Sequence, residues 1–311
     1  MVTGKTVSVP QLGLELPGPP FASMRSAVEA AQMAEAAGFD AVFASDDIGD
    51  ALACAGAVSL ATQRIKVGTS IAVIYLRHPK VTGAAASAIN DLSGGRMILG
   101  LGVGGRRLDD VWAIPWRKPL SAVRDYVARL TASLTGDRVP SVYLAARGPK
   151  MAKLAGSIAD GVIFHLLSPD RLRYAIEAVR EGEEEASRSP GSVTIALALN
   201  ALVGDDLAAG RNAARNLFSF YVQMGYARDI IQSETGLAGG MALPEAITDD
   251  LVDDLALVGP PARCRRQLQE LYDLGVELPI LSPVAPGWEW QAGLRMVLET
   301  FRRPAVSGPG L

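Results

Sequence analysis

Along this chain, short unbroken apolar runs are separated by longer stretches in which apolar residues recur at helical spacing. The runs fall at 7–15, 40–45, 65–73, 97–102, 141–146, 161–165, 193–202 and 277–284. Runs of this kind read as strands buried on both faces, as in a parallel sheet. Between them, Val123, Tyr126, Val127, Leu130 and Leu134 stand at i, i+3, i+4, i+7 and i+11, one face of a helix. Met151, Leu154, Ala155 and Ile158 repeat the pattern, as do Leu172, Ala175, Ile176 and Val179. An alanine-rich helix is predicted over 24–37 and stops at Gly38. Others are predicted around 51–62 and from Pro79 to Leu92.

Strands that each lead into helical sequence close most naturally into a (β/α)8 barrel, here a single domain over 1–311. An open doubly wound sheet is the alternative. The connection 204–276 is too long for one helix and is expected to carry inserted helices near the barrel. The tail after Arg303 reads as coil. In a barrel of this type the chemistry sits at the C-terminal ends of the strands, which says where to search.

Composition narrows the classes. Hydrophobic residues make up 49% and charged residues 20%, enough for a large core and wrong for disorder. A net charge of -3 and a pI near 5.6 argue against a nucleic-acid surface, which shows a basic patch. Cys54 and Cys264 stand in separate segments, so neither a disulfide framework nor a zinc site is expected. The stretch MVTGKTVSVPQLG lacks a signal-peptide core, and no uncharged apolar run has the length of a membrane span. The expectation is a soluble, cytoplasmic protein that handles a small molecule, without membrane or nucleic-acid partners.

The strand ends carry Glu15, then Ser45-Asp46-Asp47, then Ser70 and Ile71 running on to Arg77-His78. They continue with Gly100 to Arg107, Arg147-Gly148-Pro149-Lys150, His165 and Asn200. Carboxylates and cations around one mouth suit an anionic ligand and proton transfer. Glu15, desolvated there, would have a raised pKa suited to general-acid work; as a solvated strand end it needs no function. Asp46 and Asp47 either cap the next segment or bind a cation. RGPK places a Gly-Pro at a helix start beside Arg147 and Lys150, an anion site in outline, or else an ordinary turn with solvated charges. Gly100, Gly102 and Gly105 match G-x-G-x-x-G, with Asp125 at the distance of a ribose contact. However, RRLDDVWAIPW follows where that fingerprint needs a helix, so a close backbone approach to a flat ring explains the glycines better. No metal-ligand spacing and no G-x-S-x-G nucleophile elbow occur.

Several stretches together resemble one family. They are LGLEL near residue 12, AEAAGFDAVFASDD (34–47), GTSIAVIYLRHP (68–79) and NDLSGGRMILGLGVG (90–104), followed by WRKPLSAVRDYV (116–127) and VYLAARGPKMAKLAGSIADGVI (142–163). The chain is similar to the luciferase-like flavin and deazaflavin oxidoreductases, above all to the coenzyme F420-dependent methylenetetrahydromethanopterin reductase branch. The resemblance implies a (β/α)8 barrel that assembles as a homo-oligomer such as a dimer, with F420 as cofactor and FMN as the alternative. It implies a ring at the mouth, backed by a bulge with a non-proline cis peptide between Ser70 and Ile71, with Val103 and Gly104 running along it. The cofactor's phosphate would lie near Arg147, Gly148, Lys150, Met151 and His165, with Glu15 as proton donor and Asp46 as the second candidate. Arg77 and His78 would sit at the rim. Asp46-Asp47 stands where many relatives have Asp-His, and Gly105 where relatives often carry an acid. The expected activity is hydride transfer between reduced F420 and a small organic substrate, with a pterin-like one among the candidates. An FMN-dependent monooxygenase and a non-catalytic flavin-binding relative are the alternatives.

Overall fold

The computed structural model describes residues 10–17, 23–46, 49–105, 114, 118–134, 139–223 and 247–304. Ten strand segments form one parallel sheet: β1 (Gly13–Glu15), β2 (Ala41–Ala44), β3 (Lys66–Thr69), β4 (Ala72–Val73), β5 (Met97–Gly102), β6 (Ser141–Ala145), β7 (Gly161–His165), β8 (Thr194–Val203), β9 (Ala256–Gly259) and β10 (Leu278–Pro283). β10 pairs with both β1 and β8, so the sheet closes. β4 continues the line of β3, and β9 only extends the edge of β8 past the end of β7, which leaves eight positions in the ring: a (β/α)8 barrel. The closure rules out the open doubly wound sheet. Within the expected first strand only Gly13–Glu15 is extended; its residues 7–9 lie outside the described ones.

The helices are α1 (Met24–Ala36), α2 (Ala51–Ala61), α3 (Pro79–Leu92), α4 (Pro119–Thr131), α5 (Pro149–Ile158), α6 (Pro169–Glu185), α7 (Leu207–Gln223), α8 (Asp249–Leu255), α9 (Pro261–Asp273) and α10 (Trp290–Phe301). Five of them, α3, α4, α5, α6 and α9, open on a proline. At that position the missing N–H would have had no helical partner and the fixed φ already suits the helix. Cys54 and Cys264 are buried free thiols in α2 and α9. Among the described residues, no helix is long and apolar enough to cross a membrane. The connection after the seventh barrel strand carries α7, α8 and α9, and also a strand that helical spacing could not announce. Past the end of β7, β9 takes over the same edge of β8, pairing Asn200 to Val203 with Ala256 to Gly259.

The barrel interior is filled by Ala41, Phe43, Ile98, Tyr143, Ile163, Ala196, Ala198, Leu278 and Ile280. Large rings face glycines there. A methyl group on Gly68 would stand 2.5 Å from the Phe43 ring, and one on Gly161 would stand 2.6 Å from the Tyr143 ring. At the other end of the strands, carboxylates are used up on backbone N–H groups. Glu35 accepts from Gln63, Arg64 and Ile65 at 2.9, 2.6 and 2.9 Å, and Glu183 accepts from Gly191 and Val193 at 2.9 and 2.6 Å. Acids at that face hold loops, which is the stabilising end of such a barrel.

Gly100 marks the tightest approach. A methyl group on it would run into the Thr69 carbonyl oxygen and stand 2.9 Å from Ile163, while the Thr69 hydroxyl donates to the Gly100 carbonyl at 2.7 Å. Gly100→Ala is therefore expected to cost about 3 kcal/mol in urea unfolding. Gly204→Ala, where the added methyl meets nothing within 4 Å, should stay within about 0.5 kcal/mol of the parent. Equal midpoints for the two variants would contradict the close approach.

Candidate active site at the barrel mouth

Because side chains alternate along a strand, each inward residue of the apolar interior predicts the inward residue one layer up. Gly13, Phe43, Gly68, Gly100, Tyr143, Ile163, Ala198 and Ile280 are followed on the same face by Glu15, Ser45, Ser70, Gly102, Ala145, His165, Asn200 and Ser282. The lining thus changes from apolar to largely polar within one layer, at the C-terminal ends of the strands. Glu15, Ser70, His165 and Ser282 are half-buried, while Ser45 and Asn200 are buried.

The third barrel strand breaks at this level. β3 pairs with β2 on one side and β5 on the other, then the ladder leaves β2. The Ser70–Ile71 peptide is cis, and β4 resumes against β5 alone. Ile71 packs against the interior residues, with Gly102 beside it: a methyl group on Gly102 would stand 3.0 Å from the Ile71 side chain. Val103 and Gly104 lead out of β5, Gly104 with φ of 68°. Gly100 and Gly102 lie within β5 itself, so the glycine run is not a strand–turn–helix nucleotide fingerprint. Residues 106–113, with Arg106 and Arg107, and Asp47 lie outside the described residues.

Asp46 has no lone pair to spare. Its carboxylate accepts from the Ala51 N–H at 2.9 Å and the Val73 N–H at 2.7 Å. Arg77 donates to both of its oxygens, at 2.6 and 2.9 Å. The Asp46 N–H in turn donates to the Ile71 carbonyl at 3.2 Å. Arg77 also pairs with Asp50, which caps α2, at 3.0 Å. Arg77 therefore turns inward instead of lining a rim, with a side chain 16% exposed. His78 caps α3, its Nδ1 accepting from the Lys80 N–H at 3.3 Å.

On the far side of β5, the sequence RGPK forms the start of α5. Gly148 is the cap residue and no side chain caps the helix. A methyl group on Gly148 would meet nothing within 4 Å, so the space in front of the helix is open. Arg147 and Lys150 are exposed around it, and Met151 packs against the core. An uncapped helix start flanked by cations is the donor set that a phosphate needs. Burial and the Arg147 guanidinium push the neighbouring His165 imidazole down to about 3, so it is neutral at ordinary pH.

Asn200, named at its strand end but given no role there, and Tyr221, which the strand ends do not include, complete the mouth. The hydroxyl of Tyr221, on α7, accepts from Asn200 Nδ2 at 3.3 Å, and its ring lies 6.3 Å from that of His165. Asn200 is the one polar side chain in the run IALALNALV, a visible sign in the sequence. Its Oδ1 has no hydrogen-bond partner among the described residues, which costs on the order of 1–3 kcal/mol. For Tyr221 no sequence signal existed, because nothing local shows that an insertion helix returns to the mouth.

The model of the luciferase-like monooxygenases matches residues 5–278. The chain belongs to the luciferase-like monooxygenase family. It is 28% identical over 295 residues to the 5,10-methylenetetrahydromethanopterin reductase of Methanolobus tindarius, covering 83% of this chain and 90% of that protein. Among solved structures it is similar to the coenzyme F420-dependent tetrahydromethanopterin reductase of Methanopyrus kandleri, with TM-score 0.79, 21% identity and coverage of 94% and 98%. It is also similar to an F420-dependent secondary alcohol dehydrogenase bound to an F420–acetone adduct, with TM-score 0.76, 19% identity and coverage of 96% and 99%. These two solved structures share the fold described above.

Two expectations follow from the geometry. Arg77→Met strands a buried, uncompensated Asp46 and should cost about 3–5 kcal/mol of stability in denaturant unfolding; a loss under about 1 kcal/mol, the size of a surface pair, would contradict the clamp. For His165, the unfolded chain takes up a proton near pH 6.5 that the folded protein refuses until about pH 3. Stability should therefore fall as pH drops through that window. His165→Gln removes this slope, so between pH 7 and 4.5 the wild type should lose about 2.5 kcal/mol more than the variant. Parallel curves would contradict a neutral His165.

Proposed function

We propose that this protein is an F420-dependent oxidoreductase that reduces a small, pterin-like organic substrate. The observation that carries this reading is the mouth itself. An uncapped helix start with two cations stands one strand beyond the Ile71–Gly102 wall, and Glu15 shares the polar layer with both. Residues of this chemistry fit the cofactor: Gly148, Lys150 and Arg147 would hold its phosphate, while Ile71, Gly102, Val103 and Gly104 would offer a flat face to its ring. The names of the relatives support F420 over FMN, and the difference between a pterin reductase and an alcohol dehydrogenase leaves substrate choice to residues of this chain.

Bound in its reduced form, F420 supplies a hydride. The protein has to orient the partners, exclude water and deliver a proton. Glu15 stands inward at the mouth and is assigned the proton, delivered to the substrate heteroatom next to the carbon that is reduced. Asp46, with every lone pair engaged, is assigned to positioning instead: through the Ile71 carbonyl and Val73 N–H it sets where the wall stands. Met151 closes the apolar side of the phosphate cradle, neutral His165 adds a hydrogen-bonding group without a competing charge, and Ser70 lies at the foot of the wall.

Titration of the purified protein by fluorescence tests the cofactor. F420 should bind at micromolar levels or tighter and FMN far more weakly; equal or tighter FMN binding would favour the oxygen-activating alternative. Lys150→Ala should weaken F420 by about 1–3 kcal/mol, and F420 affinity should fall with added salt. Glu15→Gln should lower turnover roughly 100-fold with F420 affinity nearly intact. Normal turnover in that variant would remove Glu15 from the proton path.

A further inference from the structure

One buried polar atom at the mouth has no part in the steps above. Asn200 follows Ala196 and Ala198 on the inner face of β8 and is 1% exposed. Its Nδ2 donates to the Tyr221 hydroxyl at 3.3 Å. Its Oδ1 is left without a partner among the described residues. An apolar residue would avoid that cost, and leucine or alanine fills every neighbouring position from Ala196 to Leu202. A buried acceptor held in one orientation is satisfied when something brought to the site supplies a donor.

Position says which side of the reaction it serves. Leu14 pairs with Leu281, and Ser282 pairs with Asn200. Glu15, Ser282 and Asn200 therefore stand in one row across adjacent strands. The Ile71 wall lies two strands from Glu15 in the other direction, through β2. Glu15 is thus between the wall and Asn200, and Asn200 lies across the barrel from the wall. A substrate that takes a proton from Glu15 and faces the wall extends toward Asn200.

We infer that Asn200 Oδ1 accepts a hydrogen bond from a ring N–H of the substrate, of the lactam type that a pterin-like heterocycle carries, and so determines substrate specificity. The inference rests on the proposed reduction at this mouth. Tyr221 is a positioning residue for it: from the inserted helix it holds the amide so that Oδ1 faces inward. Removing Asn200 should then leave the cofactor side untouched and act on substrate alone.

The test uses Asn200→Leu and, in case that variant folds poorly, Asn200→Ala. The probes are pterin and 3-methylpterin, which lacks the ring N–H, titrated calorimetrically into F420-saturated protein. Wild type should bind pterin at least tenfold more tightly than 3-methylpterin, and both variants should lose that preference with an unchanged F420 affinity. The thermal midpoint of ligand-free Asn200→Leu should equal or exceed that of wild type, since an unsatisfied acceptor has been removed. The inference is overturned if the preference survives in the variants, if wild type binds both probes equally or neither, or if the midpoint of Asn200→Leu drops by several degrees. Failure of wild type to bind F420 would strike the proposed function instead, and the same probe pair on cofactor-free protein would still decide the role of Asn200.

Discussion

On one side β4 is held by β5, and on the other side the carboxylate and N–H of Asp46 do what a strand would do. The same carboxylate takes the first N–H of α2 and both arms of Arg77. Four charge-assisted bonds thus tie together the ends of the second strand, the broken third strand, the helix between them and the segment that enters α3. Such a clamp works because all its members are satisfied together; one missing partner leaves a charge in a place where water cannot reach it. The position of the Ile71 wall depends on this arrangement, and with it the depth at which a flat ligand can lie in the mouth.

The barrel separates support from chemistry by layers. Its lower interior matches rings to glycines, Phe43 against Gly68 and Tyr143 against Gly161, so that the rings pack directly on the backbone. Carboxylates at the N-terminal ends of the strands, such as Glu35 and Glu183, are committed to backbone N–H groups. The layer at the opposite ends holds Glu15, Ser70, His165, Asn200 and Ser282 over an apolar floor. Polar groups over such a floor have few competitors for a ligand's hydrogen bonds. That is the physical basis for reading the mouth as a site and for separating Glu15, which faces it, from Asp46, which supports it.

Much of the architecture was legible in advance because its causes are local. Apolar runs mark strands buried on both faces, helical spacing marks the faces of α4, α5 and α6, and prolines mark helix starts. A resemblance carried by several stretches in order pointed to the family, and the same strand ends proposed most of the mouth. The sequence does not separate the cases in which one residue type serves two purposes. Asp46 at a strand end looks like an acid available for proton transfer, and Arg77 before His78-Pro79 looks like a rim cation. Only their meeting across 31 positions shows that each satisfies the other.

The sequence by itself determined the barrel, the order of its elements and the glycine and proline positions, since periodicity and backbone restriction act between near neighbours in the chain. Tertiary structure alone decided which polar groups are engaged and which face the mouth. β9 could be placed only by its pairing with the far half of β8, and Tyr221 only by the return of α7 to Asn200. Hydrogen-bond partners of buried groups are chosen by proximity in space, and a chain pattern carries no record of that choice until closure of the sheet brings the strand ends together.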